Sequence, residues 1–147
     1  MPLEKIKKSD IYYEVLRTGQ ETIMFLNDFA MTTESWEAIS FFFQKEYRCV
    51  LHDFQGQLMS GKPDFDFNME IHVEDMKNLM EHLQIEKVHL LGTSYGSEVG
   101  MIFAYTYPEK VKTLTVIDSV SEVDALLRKI IDRTIQRITL GLFCGEK

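Results

Sequence analysis

The chain has 147 residues, which is enough for one domain with a buried hydrophobic core. Its 45% hydrophobic and 27% charged residues are ordinary for a soluble globular protein, and no apolar run approaches the length of a membrane span. The net charge of −7 and the scattered Lys and Arg residues argue against a nucleic-acid-binding protein, because phosphate binding needs a basic surface.

The cysteines and the N-terminus indicate the compartment. Cys49 and Cys144 match no metal-binding or redox spacing. Two free thiols in a reducing compartment are the simplest interpretation, with a disulfide as the alternative. The first ten residues, MPLEKIKKSD, contain no apolar core of a secretory signal. We therefore expect a cytoplasmic protein.

Strand-like and helix-like patterns alternate along the first half of the chain. The predicted elements are a strand at 11–16, a buried strand at 22–26, a helix from Thr32 or Thr33, a strand at 48–53 and a loop at 54–68. Trp36, Ile39 and Phe43 form the predicted buried face of the helix.

The second half continues the alternation. Its predicted elements are a helix carrying Met69, Val73, Met76, Met80 and Leu83 on one face, a strand at 87–91, a helix ended by Pro108, a strand at 111–117 and an amphipathic helix capped by Ser121. Regular alternation of strands and helices predicts an α/β fold, with a mostly parallel sheet and helices on both faces.

The segment Gly92-Thr93-Ser94-Tyr95-Gly96 lies between a predicted strand and a predicted helix. A serine on such a sharp turn has its hydroxyl exposed at the carboxyl edge of the sheet. The positive end of the following helix favours negative charge that develops there. The alternative interpretation is a glycine-rich turn with a serine N-cap.

Three segments of the chain resemble the α/β-hydrolase family, in particular its esterase and lactonase branch. They are TIMFLNDFAMTTESW, RCVLHDFQGQLMSGKP and HLLGTSYGSEVGMIFAYTYPEKVKTLTVIDSV. The resemblance covers about residues 10–120 and implies an incomplete α/β-hydrolase core. Residues 1–120 would then be the N-terminal part of this core, and residues 121–147 an amphipathic helix and tail that begin a cap.

The resemblance implies a role for three residues of a catalytic site. Ser94 would be the nucleophile, and the backbone N–H groups of Phe29 and Tyr95 would form the oxyanion hole. No metal and no cofactor is implied. The family usually has His-Gly where this chain has Asn27-Asp28. Asp28 would either weaken or reshape the hole or, as the simpler expectation, point to solvent.

The partners that would activate Ser94 are not evident. The family's order is serine, acid and then histidine, yet no histidine follows Ser94. Of the four earlier histidines, we expect His89 to be a core residue and His72 and His82 to be solvated. His52 ends a strand at the active-site edge, but in the family that strand does not neighbour the nucleophile strand.

Asp118 ends the strand TVID and is a candidate triad acid, with a capping or loop carboxylate as the alternative. We expect the chain to be the N-terminal half of a longer hydrolase. The first hypothesis is a serine hydrolase acting on a small-molecule ester, lactone or thioester, weakly active or inactive as this chain alone. The second is a non-catalytic module that forms homo-oligomers or binds a partner. Neither involves nucleic acid or a membrane.

Overall fold

A computed structural model of the chain describes residues 3–17, 19–29, 31–62 and 68–119. Its six strands are β1 (Leu3–Ile6), β2 (Ser9–Leu16), β3 (Glu21–Leu26), β4 (Tyr47–His52), β5 (Val88–Thr93) and β6 (Val111–Ile117). Its helices are α1 (Glu37–Phe43), α2 (Met69–His82) and α3 (Tyr95–Thr106), with 3₁₀ turns at Thr33–Trp36 and Pro108–Lys110.

The strands form one sheet in the order β1-β2-β4-β3-β5-β6. The pairs β1–β2 and β2–β4 are antiparallel, whereas β4–β3, β3–β5 and β5–β6 are parallel. The α/β fold class with a mostly parallel, incomplete core is therefore confirmed. Leu26 pairs with Gly92 at the carboxyl ends of β3 and β5. This register places the loop after β3 beside the turn after β5.

Strand β3 is covered on both faces because its side chains alternate between two apolar layers. Ile23 and Phe25 pack on one face with Trp36. Met24 and Leu26 pack on the other face, in the cluster that includes residues of α2 and α3. The uninterrupted apolar run at 23–26 follows from this double burial.

The predicted buried face of the first helix is wrong at Ile39, which is 41% exposed. The segment begins as a 3₁₀ turn, which has about 3.0 residues per turn, and continues as α1 from Glu37. The buried stripe of this segment instead runs through Trp36 and Ser40 to the partly buried Phe43. After Trp36 the buried positions follow the α-helical period through Ser40, which leaves Ile39 on the solvent side.

His72 is also placed differently from the prediction, since only 1% of it is exposed. It lies three residues after Met69 and four before Met76, so it shares the apolar stripe of α2. Its ring packs against Phe54 at a centroid distance of 4.7 Å. Because histidine is a polar residue type, the apolar spacing of α2 did not indicate that this position is buried. The predictions for Ser121 and the rest of 121–147 lie outside the described residues.

Among the described residues, no helix combines the length and the apolar character that a membrane crossing requires.

Candidate active site

Ser94 occupies a sharp turn between β5 and α3. Its backbone has φ 46° and ψ −117°, a region that non-glycine residues rarely adopt and that costs roughly 1–3 kcal/mol. The Ser94 N–H donates to Ile117 O at 2.9 Å, and the Ser94 carbonyl accepts from Ser97 N at 2.9 Å. Bonds to β6 and to α3 therefore hold the turn in its strained conformation.

The glycines on either side of Ser94 lie where the backbones approach most closely. A Cβ on Gly92 would lie 2.7 Å from Ser97 N. A Cβ on Gly96 would lie 2.3 Å from Leu26 O, at the end of β3. A side chain at either position would push the start of α3 away from the strands.

The amides of Phe29 and Tyr95 converge on one oxygen atom. Phe29 N donates to Asp28 Oδ1 at 2.6 Å, and Tyr95 N approaches the same oxygen at 3.4 Å. The first contact is shorter, and the second longer, than the usual distance of an N–H···O hydrogen bond. Asp28 therefore does not point away to solvent, because its carboxylate lies on the two amides that sequence reasoning chose as oxyanion-hole donors.

Asn27 anchors the loop that carries these groups. It is fully buried, its Nδ2 donates to Asp53 Oδ1 at 2.9 Å, and its Oδ1 accepts from Trp36 Nε1 at 2.7 Å. Asp53 also accepts from the backbone N–H of Thr33 at 3.0 Å. Burial raises the pKa of Asp53, although these hydrogen bonds act in the opposite direction. The sequence analysis did not assign Asn27 this positioning role. An asparagine side chain suits it, because its amide donates one hydrogen bond and accepts another.

A second carboxylate lies close to the turn. Glu98 is partly buried in the first turn of α3, and its backbone N–H donates to Ser94 O at 3.2 Å. Burial raises the pKa of Glu98, and the negative charge of Asp28 raises it further. The surroundings of Ser94 are therefore acidic on two sides.

Comparison with known proteins identifies the family of the chain. Residues 21–137 match the family model of the alpha/beta hydrolase fold. The chain belongs to the α/β-hydrolase fold family. An alpha/beta hydrolase enzyme, MGS-M2, from a Medee basin deep-sea metagenome library is 33% identical, with a TM-score of 0.87 over 92% of this chain and 50% of that chain.

Other relatives of this α/β-hydrolase chain carry more specific names. A putative carbamate hydrolase, RutD, of Azorhizobium caulinodans is 24% identical over 129 residues, which are 88% of this chain and 48% of the relative. A thermophilic esterase from Thermogutta terrifontis is 23% identical and has a TM-score of 0.80, over 88% of this chain and 48% of that chain. The chain thus spans about half the length of these hydrolases.

His52 is poorly placed to activate Ser94 in this α/β-hydrolase core. Strand β3 lies between β4, which carries His52, and β5, which leads to Ser94. Burial, reinforced by the neighbouring His72, lowers the pKa of His52 to about 3, although the backbone of Phe25 acts against the shift. His52 is therefore neutral but only a weak base at physiological pH, and β3 separates its strand from β5.

The other candidates lie on different elements of the α/β-hydrolase core. His89 is partly buried on β5, where its Nδ1 lies 2.8 Å from Thr113 Oγ1. The side chain of His82 is 40% exposed at the end of α2. Asp118 is exposed directly after β6, with a positive φ of 47°. Its role as a triad acid therefore remains a prediction.

The side chain of Tyr95 is turned towards the core of the α/β-hydrolase fold. Its ring lies 5.9 Å from that of Phe54 and 5.8 Å from that of His72. Burial, followed by the charge of Glu98, raises the pKa of the Tyr95 hydroxyl to about 12, so the hydroxyl is protonated at neutral pH. Tyr95 therefore offers its amide, and not its phenol, to the turn.

The loops after β3 and β4 are joined and carry exposed apolar side chains. Gln57 Nε2 donates to Asp28 O at 3.1 Å across the two loops. Phe29, Leu58 and Met59 are 68%, 65% and 55% exposed. Apolar side chains on loops beside a candidate nucleophile suit contact with the apolar part of a small substrate.

Proposed function

We propose that this α/β-hydrolase is a serine hydrolase that cleaves an ester, lactone or thioester bond through an acyl-serine intermediate. The observation that carries the proposal is the convergence of the Phe29 and Tyr95 amides on one oxygen beside Ser94. Donors that converge beside a serine on a strand-to-helix turn are the arrangement that acyl transfer requires.

In this mechanism, Ser94 Oγ attacks the acyl carbonyl carbon while a general base removes its proton. The two amides stabilise the oxyanion of the tetrahedral intermediate, and each such donor typically contributes 10²–10³-fold in rate. The intermediate collapses to the acyl-serine, and the proton passes to the departing alcohol or thiol. Water then attacks the acyl-serine by the same route and releases the acid.

The mechanism also requires a histidine as the general base for Ser94 and an acid that orients this histidine. All four histidines precede Ser94 in the sequence, and His52, the one at the active-site edge, lies two strands away from it. We propose that, in the whole protein, sequence beyond residue 147 supplies the histidine. The acid comes from the same sequence or is Asp118, which directly follows the strand that holds the Ser94 amide.

Relatives with hydrolytic names support the reaction class. They include a marine microorganism esterase, the esterase from Thermogutta terrifontis and the putative carbamate hydrolase. Murine epoxide hydrolase 4 is also similar, with 26% identity over 119 residues. A serine rather than a carboxylate at position 94 favours acyl transfer over epoxide opening.

The test is labelling of the chain, and of any longer product of its reading frame, by a fluorophosphonate, together with hydrolysis of short p-nitrophenyl esters. Ser94→Ala should abolish both signals. Ser35→Ala, at an exposed serine of the 3₁₀ turn, serves as the control and should leave both unchanged. Undiminished labelling of the Ser94→Ala protein would show that another residue is the nucleophile.

A non-catalytic binding module is the second candidate, and strand β6 favours it. This strand pairs only with β5 among the described residues, and Val116 and Ile117 are 44% and 42% exposed. An exposed strand edge is a template for pairing with another chain. This candidate predicts self-association and no fluorophosphonate labelling, so a monomeric chain that is labelled at Ser94 would refute it.

A further inference from the structure

We propose that Asp28 is an internal ligand of the oxyanion hole, whose carboxylate competes with the substrate carbonyl for the Phe29 and Tyr95 amides. The inference rests on the proposed function for the identity of these amides. The inference adds to that function a residue, Asp28, that controls whether a substrate carbonyl can enter the oxyanion hole.

The contacts of the Asp28 side chain are those of a bound anion. One oxygen, Oδ1, accepts from Phe29 N at 2.6 Å and from Tyr95 N at 3.4 Å. A carboxylate acceptor strengthens such bonds relative to a neutral oxygen. Tyr95 is the first residue of α3, so the partial positive charge of the helix N-terminus adds to the attraction.

The backbone of Asp28 is held so that its side chain stays next to the amides. Its carbonyl oxygen accepts from Gln57 Nε2 at 3.1 Å and from Met31 N at 3.2 Å. The carboxylate is tethered to a fixed loop, and its local concentration at the amides is therefore high. A substrate carbonyl must displace an anion that is always present.

The carboxylate and a substrate oxyanion cannot both occupy the hole. Both need the same two N–H donors, and two negative charges at contact distance repel each other. Glu98 is a second carboxyl group in the neighbourhood; burial raises its pKa, and the charge of Asp28 raises it further. Access of the acyl carbonyl to the amides therefore requires the Asp28 side chain to rotate away from them.

The first test is the rate constant for fluorophosphonate labelling of Ser94 in the longer product of the reading frame, which carries the proposed histidine. The phosphonyl oxygen must occupy the hole as the bond forms. Asp28→Gly and Asp28→Ala remove the internal ligand and should raise the rate about tenfold or more. Asp28→Asn keeps an acceptor without its charge and should give a smaller increase. An unchanged or reduced rate for Asp28→Ala would overturn the proposal, and a reduction would mean that the carboxylate assists the serine.

The Glu98→Gln variant distinguishes the effect of a ligand in the oxyanion hole from the effect of negative charge near Ser94. This variant removes a nearby negative charge but no ligand of the amides, so its rate should change by less than about threefold. An increase as large as that of Asp28→Ala would overturn the proposal, because it would show that the net charge limits labelling.

A second measurement does not depend on the nucleophile. In ¹H–¹⁵N NMR spectra of the chain, acetate should shift the Phe29 and Tyr95 amide resonances of Asp28→Ala at concentrations that leave the wild-type resonances unmoved. Acetate then takes the place of the missing carboxylate. Failure of every variant of the longer, histidine-containing protein to be labelled would count against the proposed function alone. The absence of these acetate-induced shifts in a folded Asp28→Ala protein would overturn the role of Asp28.

Discussion

Gly96→Ala is expected to destabilise the protein because no space exists for a methyl group between α3 and β3. The Cβ of the new side chain would lie 2.3 Å from Leu26 O and 2.6 Å from Asn27 O. Both are backbone atoms, and the Leu26 end of β3 is held in the sheet by pairing on both sides. The helix and its first residue, Tyr95, must therefore move outward.

Gly100→Ala is the matched control because Gly100 lies in the same helix. The Cβ there would lie 2.9 Å from Leu26 Cδ1 and 3.1 Å from Leu114 Cδ1, which are ends of flexible side chains. Overpacking costs about 1–3 kcal/mol, and replacing a helical glycine by alanine returns up to about 1 kcal/mol. We expect a loss of about 2–3 kcal/mol for Gly96→Ala and a change near zero for Gly100→Ala.

Urea unfolding followed by circular dichroism measures this difference directly. With a denaturant slope of about 2 kcal/mol/M, the midpoint of Gly96→Ala should fall about 1–1.5 M below that of Gly100→Ala. Fluorophosphonate labelling should fall in the first variant as well, since Tyr95 moves away from Phe29. Equal midpoints for the two variants would refute the argument that the β3 backbone limits the approach of α3.

Two further predictions concern buried polar groups. Trp36→Phe leaves Asn27 Oδ1 buried without its indole donor, so it should lower the free energy of unfolding by about 2–3 kcal/mol, with a smaller loss in an Asn27→Ala background. Because His52 has a pKa of about 3 in the fold, the unfolded chain binds a proton that the folded one does not. His52 should therefore lower the free energy of unfolding by about 2 kcal/mol as the pH drops from 7 to 5. In urea titrations of His52→Leu, this contribution to the pH dependence should be absent.

The fold was largely predictable because its determinants are local. The apolar runs at β3 and β5 and the spacing of apolar residues in α2 each reflect one buried strand or helix face. The glycines around Ser94 are also a local signal, because the backbones of the strand and the helix approach closely in any serine turn of this type. These features can be recognised without knowing which other segments lie nearby.

The orientation of polar side chains was not predictable in the same way. Asp28 turns towards Tyr95, which is 67 residues away in sequence, and it does so because β3 and β5 are neighbours in a particular register. The burial of His72 depends on its packing against Phe54 and Tyr95 from two other elements. Such contacts arise only when the whole sheet is assembled, so residue types along one segment do not indicate them.

The bond from Ser94 N to Ile117 O continues the pairing of β5 with β6 by one residue, as far as the candidate nucleophile. Ser97 adds a second connection, because its Oγ accepts from Ile117 N at 3.3 Å. Any segment that pairs along the outer edge of β6 would therefore stiffen or displace the serine through the strand itself, without touching it. Among the described residues β6 is the last strand on this side of the sheet, so we expect a change in its pairing to alter the position of the Ser94 turn.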